Sequence, residues 1–339
     1  MINSLFNIES RRYTGSKAKL TDWIISLMKK YCKGDVFVDI FSGTGIITAA
    51  TIKEKMFKSI IINDFLYSNY IIYDAFFSTR IINDKKLERI IAKYNSIDLK
   101  SIKPNYFSKN FGGKYFHKNT AKHIGYIRDD IEKKKKSLTK REYNVLLTAL
   151  IYATDKAANT VGHYDAYIKH KPKDKRIVMK MLAQLPFKNI KIYKEDANIL
   201  AKKLKADVVY IDPPYNSRQY SRFYHLLETL VKWDMPILYG TALKPATENS
   251  SDYCTVRAPQ VFENLIRSIN SKYIVVSYNN TYKSKSSSSK NKISLDEIEG
   301  ILNNKGKTKM FSRSHKYFNS GKTSFDDHKE YIFITKVND

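Results

Sequence analysis

Asp212, Pro213, Pro214 and Tyr215 follow the apolar, β-branched run Val208 to Ile211 and carry the densest chemistry in the chain. An acid followed by two prolines ends such a strand, because proline has no N–H to continue the ladder. A carboxylate, fixed backbone carbonyls and an aromatic ring then stand together at the strand's C-terminal edge, where open α/β sheets take their ligands. A planar amine suits this set. The oxygens can accept its hydrogens while the ring stacks on its face.

Neighbouring elements must supply whatever reacts with that amine. Val36 to Phe41 reads as a buried strand running into Ser42-Gly43-Thr44-Gly45, after which Ile46 to Lys53 resumes as a helix. Glycines in such a turn let the backbone approach a ligand, and the helix start offers free N–H groups. The turn is neither a dinucleotide fingerprint nor a triphosphate loop, since no Gly-Lys-Ser/Thr follows. A second strand, Ser59 to Asp64, ends on an acid about 20 residues past the glycines, a spacing that suits both hydroxyls of a ribose. Helix capping is the other reading of Asp64, and Asn63 could cap in its place. The strand Ile190 to Tyr193 leads to Asp196, which either meets an adenine amino group or caps the next helix. Upstream, Arg11-Arg12-Tyr13-Thr14-Gly15-Ser16-Lys17 leads into a helix with Leu20, Trp23, Ile24, Leu27 and Met28 at helical spacing. Tyr273 to Tyr278 is a further strand, and 307–318 with 328–337 is expected to form an antiparallel hairpin.

Charge narrows the partner. Lys and Arg number 60 against 33 Asp and Glu, a formal net charge of +27 with a pI near 9.7. Such an excess suits a polyphosphate. An AT-rich genome would also raise lysine, but it should raise glutamate alongside. No stretch has the apolar length of a membrane span, and the first residues lack a secretory apolar region. Cytoplasmic residence is expected, and Cys32 and Cys254 fit a reducing compartment without forming any metal-ligand spacing.

Between about 95 and 185 the text turns basic, aromatic and irregular. A run of four lysines, 133–136, is either a solvated face or a phosphate contact. A strong helix over 138–159 runs out into Asn159, Thr160, His163 and Tyr164, whose amide, hydroxyl, imidazole and ring could read base edges or build an ordinary polar hairpin. Residues 283–291, with four successive serines, read as a polar loop.

Taken in order, Arg12 to Lys17, Asp39-Ile40-Phe41-Ser42-Gly43-Thr44-Gly45, an insert, and Asp212-Pro213-Pro214-Tyr215 resemble the Dam-like DNA adenine-N6 methyltransferases, and specifically those of type II restriction-modification systems. The resemblance implies an α/β, Rossmann-like sheet dependent on S-adenosylmethionine, with an inserted, largely helical target-recognition domain. On that pattern 1–94 is the cofactor-binding part, 95–185 the insert and 186–339 the catalytic part. It also implies that Tyr13, Gly15, Lys17, Asp39, Phe41, Ser42, Gly43, Gly45, Asp64, Asp196 and Asp212 serve the cofactor. Asp212 to Tyr215 would hold the target base. Arg12, Lys17, Asn159, Thr160, His163, Tyr164, Arg218 and Tyr278 are the candidate contacts to double-stranded DNA. A monomer or weak dimer is implied, with an independent companion endonuclease, no metal and no membrane. The competing expectations are methylation of an RNA base amine or a protein amide, and a basic DNA-binding protein that keeps an inactive methyltransferase shell.

Overall fold

A computed structural model describes residues 5–281, 290–314 and 328–338. The expected polar loop falls at 283–289 outside the described residues, as does 315–318 of the expected hairpin. In chain order the elements are α1 (Thr21–Tyr31), β1 (Val36–Asp39), α2 (Ile46–Lys53), β2 (Ser59–Asn63), α3 (Tyr67–Phe77), α4 (Asp84–Ser96), α5 (Tyr106–Phe111), α6 (Lys118–Lys133) and α7 (Lys140–Ala157). They continue with β3 (Ile190–Tyr193), α8 (Ala197–Ala201), β4 (Lys205–Ile211), α9 (Tyr220–Phe223), α10 (His225–Lys232), α11 (Ala258–Ser268), β5 (Asn270–Asn279), α12 (Leu295–Asn303), β6 (Gly306–Ser314) and β7 (Lys329–Val337).

Two compact units result. One contains 17–65, 189–220 and 249–339, and it holds every strand of the sheet. Strand order is β3-β2-β1-β4-β5-β7-β6; the first five are parallel, and β7 runs antiparallel to both β5 and β6. This is a Rossmann-like sheet, mixed in direction at one edge. Order reverses between β1 and β4, the switch point where ligands sit in such sheets. Alternation along the strands decides the two faces. Val38 and Ile40 from the β1 strand and its exit, with Val209 and Ile211 of β4, join Leu200 of α8, Phe262 and Leu265 of α11 and Ile298 and Leu302 of α12 in one core. Each such fully buried side chain contributes roughly 1.5–3 kcal/mol. Close approach at the other end of β1 demands a glycine, because a Cβ on Gly34 would meet Asp207 Cβ at 2.1 Å. The Asp207 carboxylate accepts from the N–H groups of Asp35 and Val36.

The other unit contains 1–16, 66–188 and 221–248 and is helical. Helix α7 is its axis, buried almost all round, with a Thr139–Glu142 capping box at its start. Arg128 of α6 is fully buried, and its guanidinium donates to the carbonyls of Leu230 and Val231, satisfying the C-terminus of α10. Of the four lysines, Lys134 pairs with Asp130 and Lys135 with Glu132 on the last turn of α6. These limits differ from the 95–185 expected for an insert. Helices α3 and α4 pack with α7, and α10 packs with α3 and α7, so compactness extends the helical unit in both directions.

Candidate active site

At the C-terminal edge β1 and β4 stop at the same level. Asp39 is in register with Tyr210, and the Ile40 N–H donates to the Tyr210 carbonyl. The glycine turn and the Asp-Pro-Pro-Tyr exit therefore leave adjacent strands side by side. Gly43 and Gly45 take φ of 51° and 74°, which lets the chain turn tightly into α2. The Gly43 N–H donates to Asp64 Oδ2 at 2.9 Å, so the acid at the end of β2 braces the turn. Asn63 does not cap. Its buried amide bridges three strand ends, donating to the carbonyls of Ile40 and Glu195 and accepting from the Glu195 N–H. Asp196 is the N-cap of α8, with Oδ1 accepting from Asn198 and Ile199 N–H.

Asp39 is 1 % exposed; Thr48 donates to its Oδ2 at 2.8 Å, while Oδ1 has no hydrogen-bond partner among the described residues. Burial pushes this carboxyl up to about 7 against the Thr48 bond, and the nearby charges of Asp212 and Asp64 add to the rise. Phe41 meets the edge of Tyr253 at 5.1 Å, and the Tyr253 hydroxyl donates to Asn198 Oδ1, linking the glycine turn to α8.

Lys17 is 5 % exposed, and its ammonium lies 3.0 Å from Asp212 Oδ1 and 4.0 Å from Glu330 Oε2. It also donates to the Tyr215 hydroxyl at 2.7 Å, and that hydroxyl donates to Asp212 Oδ1. The Tyr215 ring packs edge-on to Tyr278 at 4.6 Å. Burial raises Asp212 above the usual carboxylate range, opposed by the Lys17 charge and the Tyr215 bond. Burial would lower Lys17, but Asp212 and Glu330 outweigh it and hold the ammonium above its ordinary range.

The described residues of the helical unit hold most of the other candidates. Tyr13 stacks on Tyr224 at 4.5 Å, and the Tyr224 hydroxyl accepts from the Thr14 N–H at 2.8 Å, fixing the loop that leads to Gly15. Arg12 donates to the carbonyls of Asp155, Ala158 and Thr160. The Asn159 amide nitrogen donates to Lys114, Ile168 and His170 carbonyls. Thr160 is buried, and Tyr164 is buried with its hydroxyl on Asp155. His163 stacks on Phe223 at 4.5 Å. In the sheet unit Arg218 is half-buried, and Tyr278 is fully buried with its hydroxyl accepting from the Ile293 N–H. Thr160, Tyr164 and Tyr278 thus present almost no surface to a duplex in this conformation. Polar side chains in a turn look alike in sequence whether they read a groove or bond within their own fold, and here Asn159 bonds backbone carbonyls while Tyr164 bonds the Asp155 carboxylate. Glu330 was missed. Its signal was an acid two and four residues from Ile332 and Ile334 on the buried face of β7.

The profile of the D12 class of N6 adenine-specific DNA methyltransferases matches residues 13–310. The chain belongs to that family. Among curated relatives, the type II methyltransferase M.FokI of Planomicrobium okeanokoites is 35% identical over 95% of this chain and 52% of its own length. The modification methylase StsI of Streptococcus sanguinis is 34% identical over 79% of this chain and 44% of its own. This D12 chain therefore spans about half the length of those two proteins. By contrast, the type II methyltransferase M.NlaIII of Neisseria lactamica is 29% identical over 95% of this chain and 98% of its own. No helix of the described residues is long and apolar enough to cross a membrane, and no cluster of metal-binding side chains occurs among them.

Proposed function

We propose that the protein transfers a methyl group from S-adenosylmethionine to the N6 amine of an adenine extruded from double-stranded DNA. The observation that carries this reading is the pairing of β1 and β4, which sets the glycine turn beside Asp212 at the switch point of the sheet. S-adenosylmethionine would supply an activated methyl on a sulfonium. The residues fit it: Gly43 and Gly45 leave the turn open to close approach, and the unpartnered Asp39 Oδ1 is an acceptor for the ammonium of its methionine part. Phe41 and Ser42 belong to the same turn. Asp64 is the ribose acceptor, with one oxygen still bracing Gly43. Asp196, with Oδ1 committed to its helix, is the acceptor for the cofactor adenine amine.

The adenine amine is a weak nucleophile, because its lone pair is delocalised into the ring. Extrusion from the duplex costs a few kcal/mol and frees it from its pairing partner. The Asp212 carboxylate and the Pro213 carbonyl then accept its two hydrogens. These bonds localise the lone pair and stabilise the positive charge that grows on nitrogen. The Tyr215 ring stacks on the base, and the tandem prolines hold the carbonyl in place before the base arrives. The helical unit is the target-recognition part, and the basic excess of the chain favours the DNA backbone. His163 and Arg218 are the candidates here for DNA contact. Cytoplasmic residence, a companion endonuclease and a monomeric or weakly dimeric state complete this reading.

The test is sequencing of duplex DNA incubated with the protein and S-adenosylmethionine. N6-methyladenine in a short recurring sequence is expected, and its loss in Asp212→Asn. Unmodified DNA overturns the proposal, and modification of RNA alone would install the RNA reading instead.

A further inference from the structure

Lys17 lies between two carboxylates, Asp212 at 3.0 Å and Glu330 at 4.0 Å. Asp212 paired with Lys17 alone would be a neutral couple, and a neutral couple attracts a developing cation weakly. Methyl transfer, however, moves positive charge onto the amine that Asp212 faces. A second carboxylate restores one net negative charge to the group. Glu330 occupies such a place: it sits opposite Asn279 in β7, is 7% exposed, and its Oε2 accepts no hydrogen bond among the described residues. The Lys17 ammonium, 4.0 Å away, is thus the charge that faces this oxygen, and a buried carboxylate oxygen without a closer donor is a cost retained where it serves a site.

We propose that Glu330 is a positioning residue for the transfer step, sharing Lys17 with Asp212 so that the group facing the target amine keeps a net negative charge. This rests on the reading of the protein as an amine methyltransferase.

The charged and titratable groups around Glu330 come from several elements. Lys17 and Asp212 face it directly, Tyr210 and Tyr215 lie within its electrostatic reach, and His328 Nε2 is 3.7 Å from Oε1. Arg313 is its register partner on β6 but is exposed. Burial pushes Glu330 up to about 7, opposed by Lys17 and reinforced by the Asp212 charge. A raised carboxyl is ionised only above that value, so the group gains its extra negative charge as pH rises through about 7.

Single-turnover methylation of duplex DNA, with saturating S-adenosylmethionine, is measured from about pH 6 to about pH 8.5 for the wild type, E330Q and E330D. The wild-type rate should rise through neutrality. E330Q should lose that rise and run about tenfold slower at the alkaline end, with KM for cofactor and DNA little changed. E330D should restore much of both. In cofactor-free protein labelled with carboxyl-13C glutamate, one resonance should titrate near neutrality and be absent from E330Q. An E330Q profile that parallels the wild type, or a change in KM without one in rate, overturns the inference. Should E330Q fail to fold, a wild-type rate that is flat across neutrality overturns it as well. Absence of any transfer by the wild type refutes the methyltransferase reading instead, so the two failures are distinct.

Discussion

Lys17, in the loop before α1, and Asp212, at the exit of β4, form an ion pair whose nitrogen and oxygen are 3.0 Å apart, with side-chain exposures of 6% and 17%. Removing one partner from such a pair costs about 3–5 kcal/mol if the other stays charged. Lys17→Met should therefore drive Asp212 further above the usual carboxylate range. A folded carboxyl held above its unfolded value binds its proton more tightly in the native state, so stability falls as pH rises above the unfolded value. The deficit in Tm of Lys17→Met should be small in mild acid and grow toward alkaline pH. A deficit that does not change with pH, measured by circular dichroism, would show that Asp212 is unaffected by the loss.

Asp39 is held up to about 7 chiefly by burial. The native state thus carries an energetic penalty at neutral and alkaline pH that the unfolded chain does not. Asp39→Asn should remove it and raise Tm at about pH 8, by roughly 2–4 °C per kcal/mol recovered. The same change deletes the proposed ammonium acceptor, so affinity for S-adenosylmethionine should fall. Wild-type affinity should also weaken below neutrality as Asp39 takes up its proton. Calorimetric titration at two pH values checks both, and unchanged affinity in the variant would remove Asp39 from the cofactor site.

Asn63 is buried and makes three bonds to the exits of β1 and β3. Asn63→Ala leaves two carbonyls and an N–H unsatisfied, at about 1–3 kcal/mol for each group that water cannot reach. Loss of stability with the strands intact is expected, together with faster amide exchange at Glu195. Protection at Glu195 equal to the wild type would mean that the bridge is not what orders this edge.

Much of this edge is legible in the sequence, because its signals are local. Strand, acid and proline in succession end a ladder wherever they occur, and Asp39, Asp64 and Asp212 all stand at or just beyond strand ends as read. Asp196 was open to two readings, and the structure shows the capping one. Less legible was anything that depends on distant residues meeting. Nothing near Lys17 announces a partner in Asp212, and the loop's glycine suggested a ligand contact where the lysine turns inward. Glu330 lies farther still along the chain and shows only as an acid on an apolar face. The polar residues around Asn159 stay open to both readings in the sequence, because their partners lie elsewhere in the fold: Asn159 bonds three backbone carbonyls and Tyr164 bonds the Asp155 carboxylate. Boundaries of the helical unit shifted because compactness is set by packing of α3 and α10, which composition does not reveal.

Tyr215 has two separable functions in the proposed chemistry, and its hydroxyl and ring can be removed one at a time. The hydroxyl donates to Asp212 and accepts from Lys17, and that donation opposes the rise that burial imposes on the carboxyl. Tyr215→Phe keeps the ring but raises Asp212 further, so the transfer rate should fall about tenfold at neutral pH and recover as pH increases. Tyr215→Ala also deletes the stacking surface, worth about 1–3 kcal/mol per base where it has been measured by alanine substitution. Its loss should appear as weaker capture of the extruded adenine, which 2-aminopurine fluorescence at the target position reports, and alkaline pH should not restore it. If both variants lose base capture equally, the hydroxyl rather than the ring holds the base. If Tyr215→Phe shows no pH-dependent recovery, the bond to Asp212 does not tune the carboxylate.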